Sequence, residues 1–222
     1  MPSPPTPPTP PTTSLSTLLT LADSRLPTGG HVHSGGIEEA VTSGLVADLA
    51  TLEAFLRRRI RTGGLVTASI AAAVHAGTLA PQEADRETDA RTPAPAARQA
   101  SRSQGRGLLR LARRVWAGRD WTPLGPTPHL APVAGLVGLA GGLAPEHTAL
   151  SLVYTTMTGS ATAAQRLLAL DPADVAALTF ALADLCEHTA AEAARGPADL
   201  SDPLLDVLAQ RHAGRERPLF AS

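Results

Sequence analysis

Residues 48 to 63 read DLATLEAFLRRRIRTG, and the spacing of their apolar side chains decides the fold class. Leu49, Leu52, Phe55, Leu56 and Ile60 recur at intervals of three and four, which puts them on one stripe of an α-helix. Asp48 stands where an N-cap acceptor is wanted, and Gly63 supplies a C-terminal stop. The same grammar extends outward in both directions. Upstream, Leu15, Leu18 and Leu19 start a helix from Ser14 that should end before Pro27, and Ile37 to Thr42 form a short helix closed by Gly44. Downstream, Leu65 to His75 make an alanine-rich helix, Pro81 opens another, and Pro93 and Pro95 interrupt the chain. The segment beyond Ala96 turns Ala97, Ala100, Leu108, Leu111, Val115 and Trp116 to one side and arginines to the other. After the prolines at 123, 126 and 128 come a helix around His129 to Leu143, a long one from Pro145 through Leu168, and one from Asp171-Pro172 running toward Gly196. Asp202-Pro203 opens the last. Strand-like alternation does not recur, so the expectation is an all-α, bundle-like single domain over residues 14–222.

Residues 1–13, MPSPPTPPTPPTT, form a Pro/Thr tail expected to be disordered and polyproline-like. They lack the basic and apolar regions of a signal peptide. The apolar run from Ala131 to Ala144 is too short and too glycine-rich to cross a bilayer. One cysteine, Cys186, allows no internal disulfide, which points to the cytoplasm. A formal charge of −1 in 222 residues disfavours nucleic acid as a partner. Every basic residue other than histidine is arginine, so neither a Walker-type phosphate loop nor a lysine Schiff base is available.

The chemistry-bearing stretch is RLPTGGHVHSGG, residues 25–36. Its glycines could cradle a phosphate, its histidines could hold a metal, or the turn could shape a surface for another protein. The phosphate reading lacks the flanking strand and the lysine. His31 and His33, with Glu38 or Glu39, could form a small metal-dependent hydrolase, but two imidazoles fall short of a coordination shell. His188 and Glu192 share a helix face as an ordinary pair four residues apart, and Cys186 sits among leucines as a buried thiol. Arg102, Arg106, Arg110, Arg113 and Arg114 offer either a docking face or a solvated one. No cofactor, metal or catalytic residue follows from these stretches.

Four blocks resemble one known family. LLTLADSRLPTGGHVHSGGIEEAV (Leu18 to Val41), continued by GLVADLATLEAFLRRRI, is similar to the glycine turn and following helix of the urease accessory protein UreF family. RQASRSQGRGLLRLA (Arg98 to Ala112) resembles its central arginine-and-glycine helix, and AAQRLLALDP and the terminal PLFAS fit its later parts more loosely. The resemblance implies an all-helical, dimerising, non-catalytic chaperone that joins UreD (UreH in some species), recruits the GTPase UreG and serves nickel delivery to apo-urease. It places partner contacts at Pro27, Thr28, Gly29, Gly30, His33, Ser34, Gly35, Gly36 and Glu38. Arg102 and Arg106 in the central helix, and Arg215, Arg217, Leu219 and Phe220 in the tail, complete that expectation.

Overall fold

The computed structural model describes residues 14–23, 25–27, 35–199 and 202–215. The expected Pro/Thr tail lies outside the described residues. Helices follow one another as α1 (Leu15–Ala22), α2 (Ile37–Thr42), α3 (Leu49–Arg59), α4 (Leu65–His75), α5 (Pro81–Ala90) and α6 (Pro95–Val115), then α7 (Leu130–Ala140), α8 (Pro145–Leu168), α9 (Pro172–Ala181), α10 (Ala183–Ala193) and α11 (Pro203–Ala213). No strand occurs among the described residues, as the periodicity requires.

Local chemistry explains most helix starts. Asp48 accepts from the Thr51 N–H at 2.8 Å, and the Thr51 hydroxyl accepts from the Asp48 N–H at 3.1 Å, a reciprocal cap that fixes the entry to α3. Ser14, Asp171 and Asp202 cap α1, α9 and α11 in the simpler way, and proline occupies the first turn of α5, α6, α8, α9 and α11.

Three sequence expectations need correction. Gly63 does not stop the helix after α3: Ile60–Gly64 form a π-helical turn that leads directly into α4, with the Leu65 N–H bonded back to the Ile60 carbonyl. A glycine stop needs a left-handed backbone and solvated last carbonyls, whereas here the apolar run from Leu65 onward goes straight into the core. The helix after Pro172 breaks at Leu182 into α9 and α10. On α6 the buried stripe is Gly105, Leu108, Leu109 and Ala112, one residue round from the expected face, leaving Val115 56% exposed.

The core is centred on α4. Every residue from Ala68 to His75 is buried, and the helix packs against α7, α8 and α10. Its small side chains let α7 approach closely: a Cβ built on Gly135 would sit 2.5 Å from the Ala71 carbonyl oxygen. That contact gives the Gly-rich run of α7 a packing role, and no helix among the described residues is long and apolar enough to cross a membrane. In the core, His75 Nδ1 lies 2.8 Å from the Thr148 hydroxyl. Burial pushes the His75 imidazole below its ordinary range, so it stays neutral in the core.

Candidate docking site

The glycine turn and the C-terminal helix meet at one end of the molecule. Gly35 and Gly36 have φ of +62° and +89°, a left-handed pair that feeds the chain into α2 at a sharp angle. Gly36 faces Leu208 of α11, whose Cβ would be 3.3 Å from an added Cβ. Glu38, on the first turn of α2, is buried and lies 2.7 Å from His212 Nε2, 174 residues away in sequence. Glu39 accepts from Arg215 at 2.8 Å. These contacts fasten the first half of the chain to its last helix.

A second clamp lies beside the first. Arg58, at the end of α3, grips Asp202 with Nε and Nη2, both at 2.7 Å, and the Thr62 hydroxyl in the π turn adds a donor at 3.1 Å. Asp202 also accepts from the Leu204 and Leu205 N–H groups, so one carboxylate both caps α11 and ties it to α3. Burial raises its pKa, but the bonds from Arg58 and Thr62 outweigh that and hold it below the usual carboxylate range. Arg59 reaches the other way and donates Nη1 to the Gly35 carbonyl at 2.6 Å. Its guanidinium fills the space where a Gly35 side chain would be, with Cζ 2.5 Å from a built Cβ. A side chain at position 35 would strain the left-handed backbone and push the guanidinium aside.

The residues expected at the site separate into three groups. Gly35, Gly36, Glu38 and Arg215 are brought together as described, and Pro27 is exposed at the turn after α1. Thr28, Gly29, Gly30, His31, His33, Ser34, Arg217, Leu219 and Phe220 lie outside the described residues. Arg102 is no free docking cation: Nη1 is 3.0 Å from Asp85 and Nη2 is 2.7 Å from Asp89, both on α5. Arg106 is exposed on α6, as are Arg110, Arg113 and Arg114. The acids of the hydrolase alternative are engaged elsewhere, Glu38 by His212 and Glu39 by Arg215. His188 does not pair with Glu192; its Nδ1 bonds the Asp184 carbonyl at 2.8 Å. Cys186 is buried, as expected, with Sγ 3.7 Å from the Met157 sulfur, and burial raises its pKa to about 11.

Sequence reasoning missed Arg58, Arg59 and His212, whose signals were only an arginine run and a histidine near a helix end. It also missed a cluster of Asp85, Asp89 and His129, whose ligand-type atoms all lie within 4.8 Å of one another. Arg102 already bridges both carboxylates. His129 is fully buried and places Nε2 2.9 Å from Asp89 and Nδ1 3.0 Å from the Ser101 hydroxyl. Burial lowers the His129 pKa against the opposing pull of Asp89, which favours a neutral ring donating from Nε2. Ser101 accepts the Leu130 N–H at 3.3 Å and so turns its own proton toward Nδ1. The cluster is a saturated lock joining α5, α6 and the start of α7.

A family model for UreF matches residues 46–183, which spans more than half of the chain. The chain belongs to the UreF family. Its relatives include the urease accessory protein UreF of Mycolicibacterium vanbaalenii, 78% identical over 207 residues that cover 92% of this chain and 97% of the relative. The UreF proteins of Mycobacterium marinum and Mycobacterium tuberculosis are 75% and 74% identical over 204 residues, with the same coverage of 92% and 97%. All three are named as accessory proteins and not as enzymes. The matched UreF region contains α3, the π turn, the Arg102 lock and the core helices α4, α7 and α8, while the glycine turn, all but the first residue of α10, and α11 lie outside it.

Proposed function

We propose that this chain is a non-catalytic assembly module in urease maturation, working in the cytoplasm and as a homodimer. In this reading it joins the UreD (UreH) partner, recruits the GTPase UreG, and contributes to nickel insertion into apo-urease through those partners. The observation that carries the reading is the convergence of the Gly35-Gly36 turn with α11 through the Glu38–His212 and Glu39–Arg215 pairs. That convergence supports a reading in which a single partner engages both the Gly35-Gly36 turn and the segment that follows α11. The left-handed glycines let Arg59 and Leu208 pack directly against the turn from inside the chain. The Glu38–His212 and Glu39–Arg215 contacts brace the turn against α11 before docking, which lowers the ordering cost of association.

The test is co-purification of UreD with the wild-type chain, with a chain lacking Pro218 to Ser222, and with Gly30→Arg, together with urease activation in cells. Both variants are expected to keep their helical circular dichroism and to lose most of the captured partner. A pair of folded variants that capture the partner and activate urease like wild type overturns the docking face. His31→Ala is expected to activate urease nearly normally. Stoichiometric nickel binding by the isolated chain, abolished by His31→Ala together with activation, would replace this reading with a metal-transfer site.

A further inference from the structure

Arg57, Arg58 and Arg59 follow one another at the end of α3 and meet different surroundings. Arg57 turns back one helical turn to Glu53 at 2.7 Å. Arg58 presents its Nε and Nη2 edge to Asp202, two parallel bonds to one carboxylate. Arg25 uses the same edge on Asp23. Among the described residues Arg59 bonds through Nη1 alone, to the Gly35 carbonyl, while its Nε is sealed from solvent with no hydrogen-bond partner there. Asp202 acts on Arg59 through charge alone, because its oxygens are taken by Arg58, Thr62 and the start of α11.

A buried guanidinium N–H without an acceptor is costly, and the side-on edge of arginine fits a carboxylate better than any other common acceptor. Burial lowers the Arg59 pKa to about 10, partly opposed by Asp202, so the group still carries its charge at neutral pH. With Gly35, Gly36, Gly63, Thr156 and Leu205, Arg59 lines a cavity of about 340 Å³, enough space to admit a side chain. Its lining takes in Gly35 and Gly36, Gly63 of the π turn and Leu205 of α11, the elements assigned above to docking, and continues along α6 and α8.

We propose that the Nε and Nη2 edge of Arg59 is a receptor for the carboxylate of an aspartate or glutamate side chain, inserted by the protein that docks on the glycine turn. The proposal rests on the docking reading and adds the chemistry of the inserted group. An acidic side chain entering beside Gly35 gives the orphaned Nε–H its acceptor and places a negative charge against a cation that the fold leaves without a carboxylate of its own. Lysine cannot substitute, because it offers a point charge and no parallel pair of donors.

Two measurements on the full chain decide it. Acetate is titrated at constant ionic strength while the Arg59 Nε–H resonance is followed by nitrogen-15 NMR, with chloride as control. The affinity of the UreD partner is then measured by calorimetry for wild type, Arg59→Lys and Arg57→Lys. Expected are a saturable shift with acetate and none with chloride, at least tenfold weaker partner binding by Arg59→Lys, and unchanged binding by Arg57→Lys. No acetate-specific shift, or binding by folded Arg59→Lys within twofold of wild type, overturns the receptor. If Arg59→Lys does not fold, the acetate titration of the wild type decides alone. A tail truncation that weakens docking while Arg59→Lys does not leaves the docking face standing and removes only the receptor. If neither change weakens docking, the face and the receptor fall together.

Discussion

Replacing Asp202 with alanine tests whether one carboxylate holds the C-terminal helix in place. The side chain is 3% exposed and accepts from Arg58, Thr62, Leu204 and Leu205. Loss of an N-cap costs about 1 kcal/mol. The charge-assisted bonds from Arg58 add about 1.5 kcal/mol, the low end of their range, since Arg58 is 47% exposed and regains water when released. The total, about 2–3 kcal/mol, corresponds to a fall in Tm of roughly 5–10 °C for a domain of this size if unfolding is cooperative. Because α11 is fastened at its start by Asp202 and near its end by the His212 and Arg215 pairs, amide exchange should rise first in residues 203–213 and stay slow in α4. The pH dependence has a definite sign. Asp202 has a folded pKa below its unfolded value of about 3.9, so its contribution is complete above that value and is lost as pH falls through the folded pKa. The gap between the thermal melts of wild type and Asp202→Ala should therefore be constant near neutral pH and narrow as pH falls below the unfolded carboxylate value. Equal melting within 1 °C at neutral pH, as an order-of-magnitude margin on these effects, with unchanged exchange in α11, refutes the clamp.

Two further outcomes follow from the core. Gly135→Val should destabilise the domain by roughly 3 kcal/mol or more, because even its Cβ would meet the Ala71 carbonyl; a chemical denaturation midpoint equal to wild type refutes the close approach of α7 to α4. Cys186 should react with a thiol reagent at neutral pH only on unfolding, since burial holds its pKa near 11; rapid alkylation of the native chain contradicts the packing against Met157.

By itself the sequence determined the helices and their starts. Spacing of three and four, an acceptor such as Asp48 or Asp202, and proline in the first turn act over a few residues, and a local rule reads them directly. It also contained the glycine pair of the turn, because a left-handed backbone has few other tenants. Only the tertiary structure decided what happens after Gly63. Whether a glycine ends a helix depends on whether the next turn meets water or the core, and here Leu65 meets the core through a π turn. The same holds for Arg102, read as a docking cation until α5 brings Asp85 and Asp89 beside it. Likewise Glu38 becomes half of a buried pair with His212, and Arg59 is separated from its neighbour Arg58 by one peptide and by an entirely different set of acceptors. A charge has its meaning from the groups within a few ångströms, and those come from segments far away in the chain, which no local pattern records.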